Sequence, residues 1–163
     1  LFETNLKGAQ NAGLDVGVYF FSQAINVDEA REEAAFVLQQ LKEAGVTKLN
    51  LPIAFDLEPS PDYSGRADNL SPAETNAIAR AFCATIQEAG YRVIVYGNKV
   101  DLDRFDLVSL DEPIWLAQYV DQPDVNFNFL IWQYTSTGQV SGITGSVDLN
   151  LDFSNVSTRK NQK

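Results

Sequence analysis

Histidine is absent from this chain of 163 residues, and cysteine occurs only once. Without histidine the chain can build neither a Ser-His-Asp nor a Cys-His nucleophile system, and it lacks the histidine ligands of most zinc hydrolases. The single cysteine, Cys83, excludes an internal disulfide and an all-cysteine zinc site. Any hydrolytic chemistry would therefore rest on carboxylates, without a metal or a cofactor, and glycoside hydrolysis is the reaction that most often works this way.

Positive charge and long apolar runs are also scarce. The chain has 12 lysine and arginine residues against 22 acidic ones, its net charge is −10, and the basic residues form no stripe. Such a chain repels a polyphosphate backbone and an anionic membrane, so a neutral polymer is a better partner than nucleic acid. No apolar run approaches the roughly 20 residues that span a bilayer, and residues 1–9 lack the basic-then-apolar order of a signal peptide.

The apolar fraction of 45% in a chain of this length predicts one domain with one core. We place this domain at residues 1–150 and treat residues 151–163 as a C-terminal tail. Cys83 follows the helical spacing of Ala79, Phe82 and Ile86, which indicates a buried position in that core. Nothing in the pattern requires an oligomer.

Apolar strand patterns alternate with helical patterns, which is typical of parallel β/α units. Helices are predicted at 2–12, 26–45 and 71–90, a short helical or irregular turn at 101–107, and strands at 15–22, 49–55, 91–96, 114–119, 129–134 and 146–149. The late connections are too short for full helices, and a regular eight-fold barrel needs about 250 residues. We therefore predict an α/β fold, a distorted and shortened TIM-like β/α barrel. No Gly-x-Gly-x-x-Gly motif follows a strand, which argues against a dinucleotide-binding sheet.

Two carboxylates one residue apart end the apolar run at 51–55. Side chains alternate across a strand, so Asp56 and Glu58 are expected to point to the same side. Their Cα atoms would lie about 6.6 Å apart, close enough for each charge to shift the pKa of the other carboxyl. The pair is therefore a candidate acid/base pair. The alternative is a strand that ends in a solvated acidic turn before Pro59.

Acidic and aromatic residues also follow the other predicted strands. In parallel β/α folds the working residues collect at the carboxyl ends of the strands. Aromatic faces pack on the C–H faces of sugars and polar groups bind their hydroxyls, so this mixture suits a saccharide groove. Besides Asp56, Glu58 and Asp148, the candidates are Tyr19, Tyr96, Trp115, Tyr119 and Gln133 as substrate-binding residues, with Phe21, Trp132, Tyr134 and Asn150 on the same rim. For each aromatic residue alone the alternative is core packing, and for Asp148 it is a cap or turn.

Five segments, in order and spacing, carry a pattern that extends over most of the chain: AGLDVGVYFFSQA, PIAFDLEP, AGYRVIVYGN, IWLAQY and IWQYTSTGQVSGITGSVDLN. From about Phe2 to Asn150 the chain resembles the glycoside hydrolase family 25 lysozymes, the Chalaropsis-type N-acetylmuramidases. The resemblance implies a flattened β/α barrel that cleaves the β-1,4 bond between N-acetylmuramic acid and N-acetylglucosamine in bacterial peptidoglycan. It also implies roles for three carboxylates: Glu58 as general acid/base, Asp56 as its partner near the acetamido group of the substrate, and Asp148 as a further carboxylate of the groove.

The opening of the chain departs from the family pattern. Members of the family begin with a strand that bears an Asp-x-Ser-type motif, followed by a second strand, and neither precedes Leu1. We therefore expect a barrel that lacks its opening strands and also lacks one active-site aspartate. Such a barrel would have two unpaired sheet edges and weak activity. The resemblance further implies a secreted or cell-wall-directed lysin of bacterial or phage origin.

The residues and the resemblance together favour a substrate-assisted mechanism. The 2-acetamido carbonyl of the sugar would attack the anomeric carbon while Asp56 orients it and Glu58 protonates the leaving oxygen, and a direct Asp56 nucleophile is the alternative. Glu58 then needs a raised pKa, which an ionised Asp56 beside it would supply. Two other functions are considered: a carbohydrate-binding protein without turnover, and a chitinase-like hydrolase. The apolar residues before Asp56 disfavour the latter, because the chitinase signature has aspartates there.

Overall fold

Six strands form one curled sheet in simple chain order, from β1 to β6. The computed structural model describes residues 1–60 and 62–154. The helices are α1 (Phe2–Asn11), α2 (Val27–Glu43), α3 (Pro72–Glu88), α4 (Lys99–Leu102) and α5 (Leu107–Leu110). The strands are β1 (Val18–Phe21), β2 (Ile53–Asp56), β3 (Val93–Asn98), β4 (Ile114–Ala117), β5 (Ile131–Gly138) and β6 (Val147–Asp152). The result is an α/β half-barrel, which confirms the predicted fold class.

The first five strands are parallel and the last is antiparallel to its neighbour. The sequence pattern predicted parallel β/α units, and the antiparallel direction of β6 is a departure from such units. Residues 139–146 join β5 to β6, and a connection of that length suits a hairpin, because a parallel crossover needs a dozen residues or more. The register between β5 and β6 shifts twice, at Gln133/Thr135 and at Thr135/Gly138.

The main core lies between the outer face of the sheet and helices α2 and α3. Side chains alternate along β2, so Ile53 and Phe55 enter this core, and Phe82 of α3 meets Phe55 with ring centroids 5.1 Å apart. Cys83 is fully buried there, as predicted, and burial raises the pKa of its thiol. The inner face of the sheet is left free to carry a site.

The ends of the two long helices follow from local sequence. Asn26 caps α2 by accepting a hydrogen bond from the backbone of Glu29 at 2.9 Å. Ser71 caps α3 in a capping box with Glu74, and Pro72 occupies the first helical position. Both predicted starts are thereby confirmed. The helices end before Gly45 and Gly90, whose positive φ angles of +72° and +86° suit glycine.

Removing the Ser71 hydroxyl is expected to weaken α3 by about 1 kcal/mol, because Ser71→Ala deletes the acceptor for the Glu74 backbone N–H. Urea unfolding followed by circular dichroism measures this change. Ser154→Ala is the control, since Ser154 is exposed and, among the described residues, bonds Asp152 through its backbone N–H and not through its hydroxyl. Equal midpoints for Ser71→Ala and the wild type would contradict the assigned cap.

Several boundaries differ from those predicted. The turn predicted at 101–107 is two short helices, because the Asn98 side chain starts α4 at Lys99 and the Asp106 side chain starts α5 at Leu107. Strand β6 continues to Asp152, two residues past the position where we ended the domain, and the backbone N–H of Phe153 bonds Leu130 O at 2.9 Å. Of the predicted tail, residues 155–163 lie outside the described residues.

No helix in the described part of the chain is long and apolar enough to cross a membrane.

Candidate active site

A cavity of about 190 Å³ opens on the inner face of the sheet, near the carboxyl ends of the parallel strands. Its lining consists of Tyr19, Asp56, Glu58, Tyr96, Trp115, Gln133 and Asp148. The structure therefore brings together all three carboxylates and four of the five substrate-binding residues that the sequence singled out. The fifth, Tyr119, borders the adjoining space described below.

Strand register explains why residues from distant parts of the chain meet here. Asp56 of β2 pairs with Tyr96 of β3, and Tyr96 pairs with Trp115 of β4, so the three form one row across the sheet. The rings of Tyr96 and Trp115 meet edge to face, with centroids 4.9 Å apart and planes at 71°. This row gives the cavity an aromatic wall beside a carboxylate.

Gln133 holds two tyrosine hydroxyls in place. Its side chain is only 3% exposed, and its Oε1 accepts hydrogen bonds from the hydroxyls of Tyr119 at 2.7 Å and Tyr96 at 3.2 Å. Because buried polar groups are costly when unpaired, these bonds fix the three side chains relative to each other. Gln133 thus orders the aromatic side of the cavity.

A second space of about 300 Å³ continues from the first beyond Glu58. Glu58 and Tyr96 border both spaces, and the second is completed by Asn98, Lys99, Ala117, Gln118 and Tyr119. Glu58 therefore stands at the junction of two adjoining spaces. A general acid for glycoside cleavage needs such a position, because it must reach the oxygen that joins two sugars.

Strand β6 contributes the remaining side of the site. Asp148 is exposed and lines the first cavity, and Asn150 accepts a hydrogen bond from the indole N–H of Trp115 at 2.8 Å. Asn150 does not line the first cavity but a neighbouring one, which Trp115 also borders. Its hydrogen bond therefore holds the Trp115 ring from the side away from the first cavity.

Three aromatic residues of the predicted rim do not line either space. Trp132 packs against the core and donates its indole N–H to Gln118 O at 2.8 Å, and Tyr134 meets the Trp132 ring edge to face. Both flank Gln133 in sequence, so strand alternation turns them to the opposite face. Phe21 is 45% exposed at the end of edge strand β1.

Asp56 is a strongly perturbed carboxyl. It is 6% exposed, and within the described residues its buried Oδ1 has no hydrogen-bond partner. Burial raises the pKa of Asp56 to about 7, and the nearby charges of Glu58 and Asp101 act in the same direction. Near neutral pH this carboxyl is therefore only partly ionised.

Glu58 has a second acidic neighbour, Asp101, that we did not predict. Burial raises the pKa of Glu58 first, and the charge and hydrogen bond of Asp101 raise it further. The raised pKa agrees with the prediction, and the predicted coupling with Asp56 is seen as the effect of the Glu58 charge on the pKa of Asp56. Asp101 was missed as a site residue because it belongs to a short helix whose packing the sequence pattern does not show. The only sequence signal is Asn98, three residues before it, as a capping residue.

The loop that follows Glu58 has a defined shape. Ser60 Oγ donates to Asp68 at 2.6 Å and accepts from the backbone of Gly65 at 2.8 Å, while Asp68 accepts from the backbone of Ser60 at 3.0 Å. Arg104 donates to Ala67 O at 3.0 Å and so ties this loop to the segment after α4. The described residues of this loop thus form a compact turn system beside the site.

Within residues 1–60 and 62–154, no three His, Cys, Asp or Glu side chains are grouped so that they could hold a metal ion.

Comparison with known proteins gives concordant matches. The chain is 30% identical to an autolytic lysozyme of Clostridium acetobutylicum, over 88% of this chain and 41% of that protein. It is 26% identical to lysozyme M1 of Streptomyces globisporus, over 91% of this chain and 53% of that protein. The chain thus spans about half or less of the length of these relatives.

A solved structure shares the fold. The modular autolysin LytC of Streptococcus pneumoniae, in complex with a synthetic peptidoglycan ligand, superposes with a TM-score of 0.79 and 26% identity, over 91% of this chain and 36% of LytC. The family model described as glycosyl hydrolases family 25 matches residues 1–143. A match over that much of the sequence, together with the half-barrel and its paired carboxylates, shows that this chain belongs to glycosyl hydrolases family 25.

Proposed function

We propose that this chain is a lysozyme-type glycosidase that cleaves the β-1,4 bond between N-acetylmuramic acid and N-acetylglucosamine in bacterial peptidoglycan. The observation that carries the proposal is the placement of Asp56 and Glu58 in one aromatic-walled cavity. Family membership, the lysozyme names of two relatives and the peptidoglycan ligand of LytC support this choice of substrate. The cell wall is then the site of action, and the protein would reach it as a secreted or phage-borne lysin.

The aromatic and amide side chains would bind the sugars. Tyr19, Tyr96 and Trp115 offer apolar faces to a sugar ring in the first cavity, and Gln133 fixes the hydroxyl of Tyr96. Tyr119 borders the second space, where the sugar of the leaving group would lie. The glycan would therefore pass across Glu58 from one space into the other.

In the first chemical step the acetamido carbonyl oxygen of the bound sugar forms a bond to the anomeric carbon. The bond from that carbon to the bridging oxygen breaks, and Glu58 gives its proton to the departing oxygen. The product of this step is a cyclic oxazolinium ion with a positive charge at the acetamido nitrogen. The Asp56 carboxylate would accept a hydrogen bond from the N–H of this group. The positive charge would favour the ionised form of the carboxyl.

In the second step a water molecule attacks the anomeric carbon and opens the ring. Glu58, now a carboxylate, takes a proton from the water, so both the acid and the acetamido group are restored. Two displacements at one carbon return the original configuration, so the outcome is retention. Asp148 would supply further negative charge to the cationic transition state from the opposite side of the cavity.

The new reducing end identifies the bond that is cut. Purified peptidoglycan is digested with the chain, reduced with borohydride and analysed by mass spectrometry. We expect the new ends to be muramitol, because a muramidase leaves N-acetylmuramic acid at the reducing end. The same digestion of chitin, which lacks muramic acid, serves as the substrate control and should release little product.

Three results would contradict the proposal. Glucosaminitol as the new end would mean that the other glycosidic bond is cut. Equal release from chitin would indicate a chitinase-like hydrolase. Sedimentation of the protein with peptidoglycan without any new ends would indicate a carbohydrate-binding protein.

A further inference from the structure

Asp101 is a buried carboxyl next to the proposed acid that neither the sequence analysis nor the mechanism above uses. It is 4% exposed, lies on α4, and its carboxyl is in hydrogen-bonding contact with that of Glu58. Two carboxyl groups can form such a contact only when one of them carries a proton. The contact therefore bears on where the proton of the acid/base residue is held.

The structure holds Asp101 in place from three sides. Asn98 Oδ1 accepts hydrogen bonds from the backbone of Val100 at 2.8 Å and of Asp101 at 3.1 Å, and Asn98 Nδ2 donates to the Asp101 carboxylate. A side chain at Gly97 would meet the Leu102 side chain at 3.1 Å and Asp101 Cβ at 3.5 Å, so glycine lets α4 pack directly on the end of β3. The position of the Asp101 carboxyl is thereby fixed by the backbone.

The surroundings favour Asp101 as the ionised partner. Burial raises its pKa, but the Arg104 guanidinium, the hydrogen bond of Asn98 and the contact with Glu58 oppose that effect. For Glu58 the charge of Asp101 and the hydrogen bond between the two carboxyl groups act the other way and raise the pKa. When one proton is shared between the two carboxyl groups, it therefore belongs on Glu58.

We propose that Asp101 is a positioning residue for the acid/base step: its carboxylate accepts the hydrogen bond of the protonated Glu58 carboxyl and points that carboxyl at the glycosidic oxygen. This inference rests on the proposed function. When Glu58 has given up its proton, the charge of Asp101 makes the Glu58 carboxylate a stronger base toward the incoming water. Asp101 thus acts through Glu58 in both halves of the reaction and does not itself touch the substrate.

Other ionisable groups also border Glu58 and are present in any titration of it. They come from separate elements, namely Asp56 of β2, Tyr96 of β3, Lys99 of α4, Tyr119 after β4, and Asp148 of β6. Burial raises the pKa of Tyr96 well above its usual range, so its hydroxyl stays neutral through the working range of the acid. Substitution of Asp101 also removes a charge that raises the pKa of Asp56, so the Asp56 signal is followed in the same titration.

The decisive measurement does not depend on catalysis. Protein labelled with ¹³C at the carboxyl carbons of Glu and Asp is titrated by NMR, and the Glu58 signal is assigned by its loss in Glu58→Gln. In Asp101→Asn we expect the Glu58 midpoint to fall by roughly one pH unit, because a neighbouring negative charge has been removed. Asp103→Asn is the matched control, since Asp103 is the exposed residue that ends the same helix. It should leave the midpoint unchanged.

Activity gives a second reading. The basic limb of the kcat profile should move to lower pH by a similar amount in Asp101→Asn, with KM changed less than two-fold, and Asp101→Glu should restore part of the shift. A Glu58 midpoint that stays in place in Asp101→Asn overturns the proposal. The Glu58 midpoint could move in Asp101→Asn although the wild-type chain hydrolyses no peptidoglycan. That outcome would support the coupling of Asp101 and Glu58 and contradict only the proposed function.

The wild-type protein provides a test that needs no folded variant. Two carboxyl groups that share a proton titrate as a coupled pair, so the signals of Glu58 and Asp101 should both show two inflections at the same two pH values. Single, independent inflections in the wild type would overturn the proposal even if Asp101→Asn failed to fold.

Discussion

Replacing Glu58 by glutamine is expected to slow peptidoglycan hydrolysis by at least about 100-fold, since the variant loses its general acid and base. Glutamine has nearly the shape of glutamate but carries no transferable proton, so substrate binding should change little. The lost rate should therefore appear in kcat. Release of reducing ends from purified peptidoglycan measures the effect.

Glu88→Gln is the matched control for this experiment. It makes the same chemical change at an exposed residue, the last one of α3, away from both spaces of the site. Equal thermal midpoints of the two variants would show that the fold is intact. Hydrolysis by Glu58→Gln within a few-fold of the Glu88→Gln rate would remove Glu58 from the proposed mechanism.

Replacing Asp56 by asparagine should change the pH dependence of stability by up to about 4 kcal/mol. The pKa of Asp56 is raised from 3.8 to about 7 in the folded protein. Between these values the folded chain keeps a proton that the unfolded chain has lost, so the free energy of unfolding of the wild type falls as pH rises from about 4 to about 7. Asparagine has no proton to lose, so this decrease in the free energy of unfolding is absent from the variant. Three pKa units correspond to about 4 kcal/mol, and partial solvent access reduces the figure.

Urea unfolding at pH 4, 6 and 8 measures the difference between the two proteins. We expect Asp56→Asn to gain about 2–4 kcal/mol relative to the wild type between pH 4 and pH 8. Any constant cost of burying the amide cancels in this comparison. Asp103→Asn, at an exposed position, should run parallel to the wild type. Parallel curves for Asp56→Asn as well would show that the fold does not perturb this carboxyl.

The same variant is expected to lose activity, although its stability relative to the wild type rises between pH 4 and pH 8. Asp56 Oδ1 is buried and has no hydrogen-bond partner among the described residues, so ionising this carboxyl is costly. A cationic intermediate beside it would offset that cost. The buried Asp56 carboxyl thus destabilises the free protein and is the group that the proposed reaction would use. Stability and activity oppose each other in the same way in other enzymes.

The residues of the cavity were largely visible in the sequence, for a simple geometric reason. Asp56 and Glu58 follow a buried strand, and Tyr96 and Trp115 lie at equivalent points of the next two strands, so the carboxyl-end rule for parallel sheets collects them. Strand alternation also places Gln133 inside, but it sends Trp132 and Tyr134 to the other face. The carboxyl-end rule identified which strands contribute residues to the cavity. It did not decide which of two neighbouring side chains points inward.

Contacts between short irregular segments were beyond the sequence pattern. Asp101 reaches Glu58 because Asn98 starts a four-residue helix and Gly97 lets that helix pack closely, and neither effect has a periodic signal. The antiparallel direction of β6 was missed although its signal was present: residues 139–146 are too few for a parallel crossover. Except for the start of β4 at Ile114, strand ends were misplaced by one to four residues, because apolar patterns show burial and not hydrogen bonding.

The hairpin of β5 and β6 gives the site parts of unequal rigidity. Beyond Gln133, strand β5 pairs with β6 and no longer with β4, and within the described residues β6 pairs with β5 alone. A two-stranded ribbon with two register shifts is only marginally stable by itself, so this arm opens locally at a much smaller free energy than the central strands. Asp148 lies on this arm, whereas Asp56 and Tyr96 lie on β2 and β3, which are paired on both sides. If the proposed function holds, we therefore expect the wall that carries Asp148 to yield to an incoming glycan while the carboxyls of Asp56 and Glu58 keep their spacing.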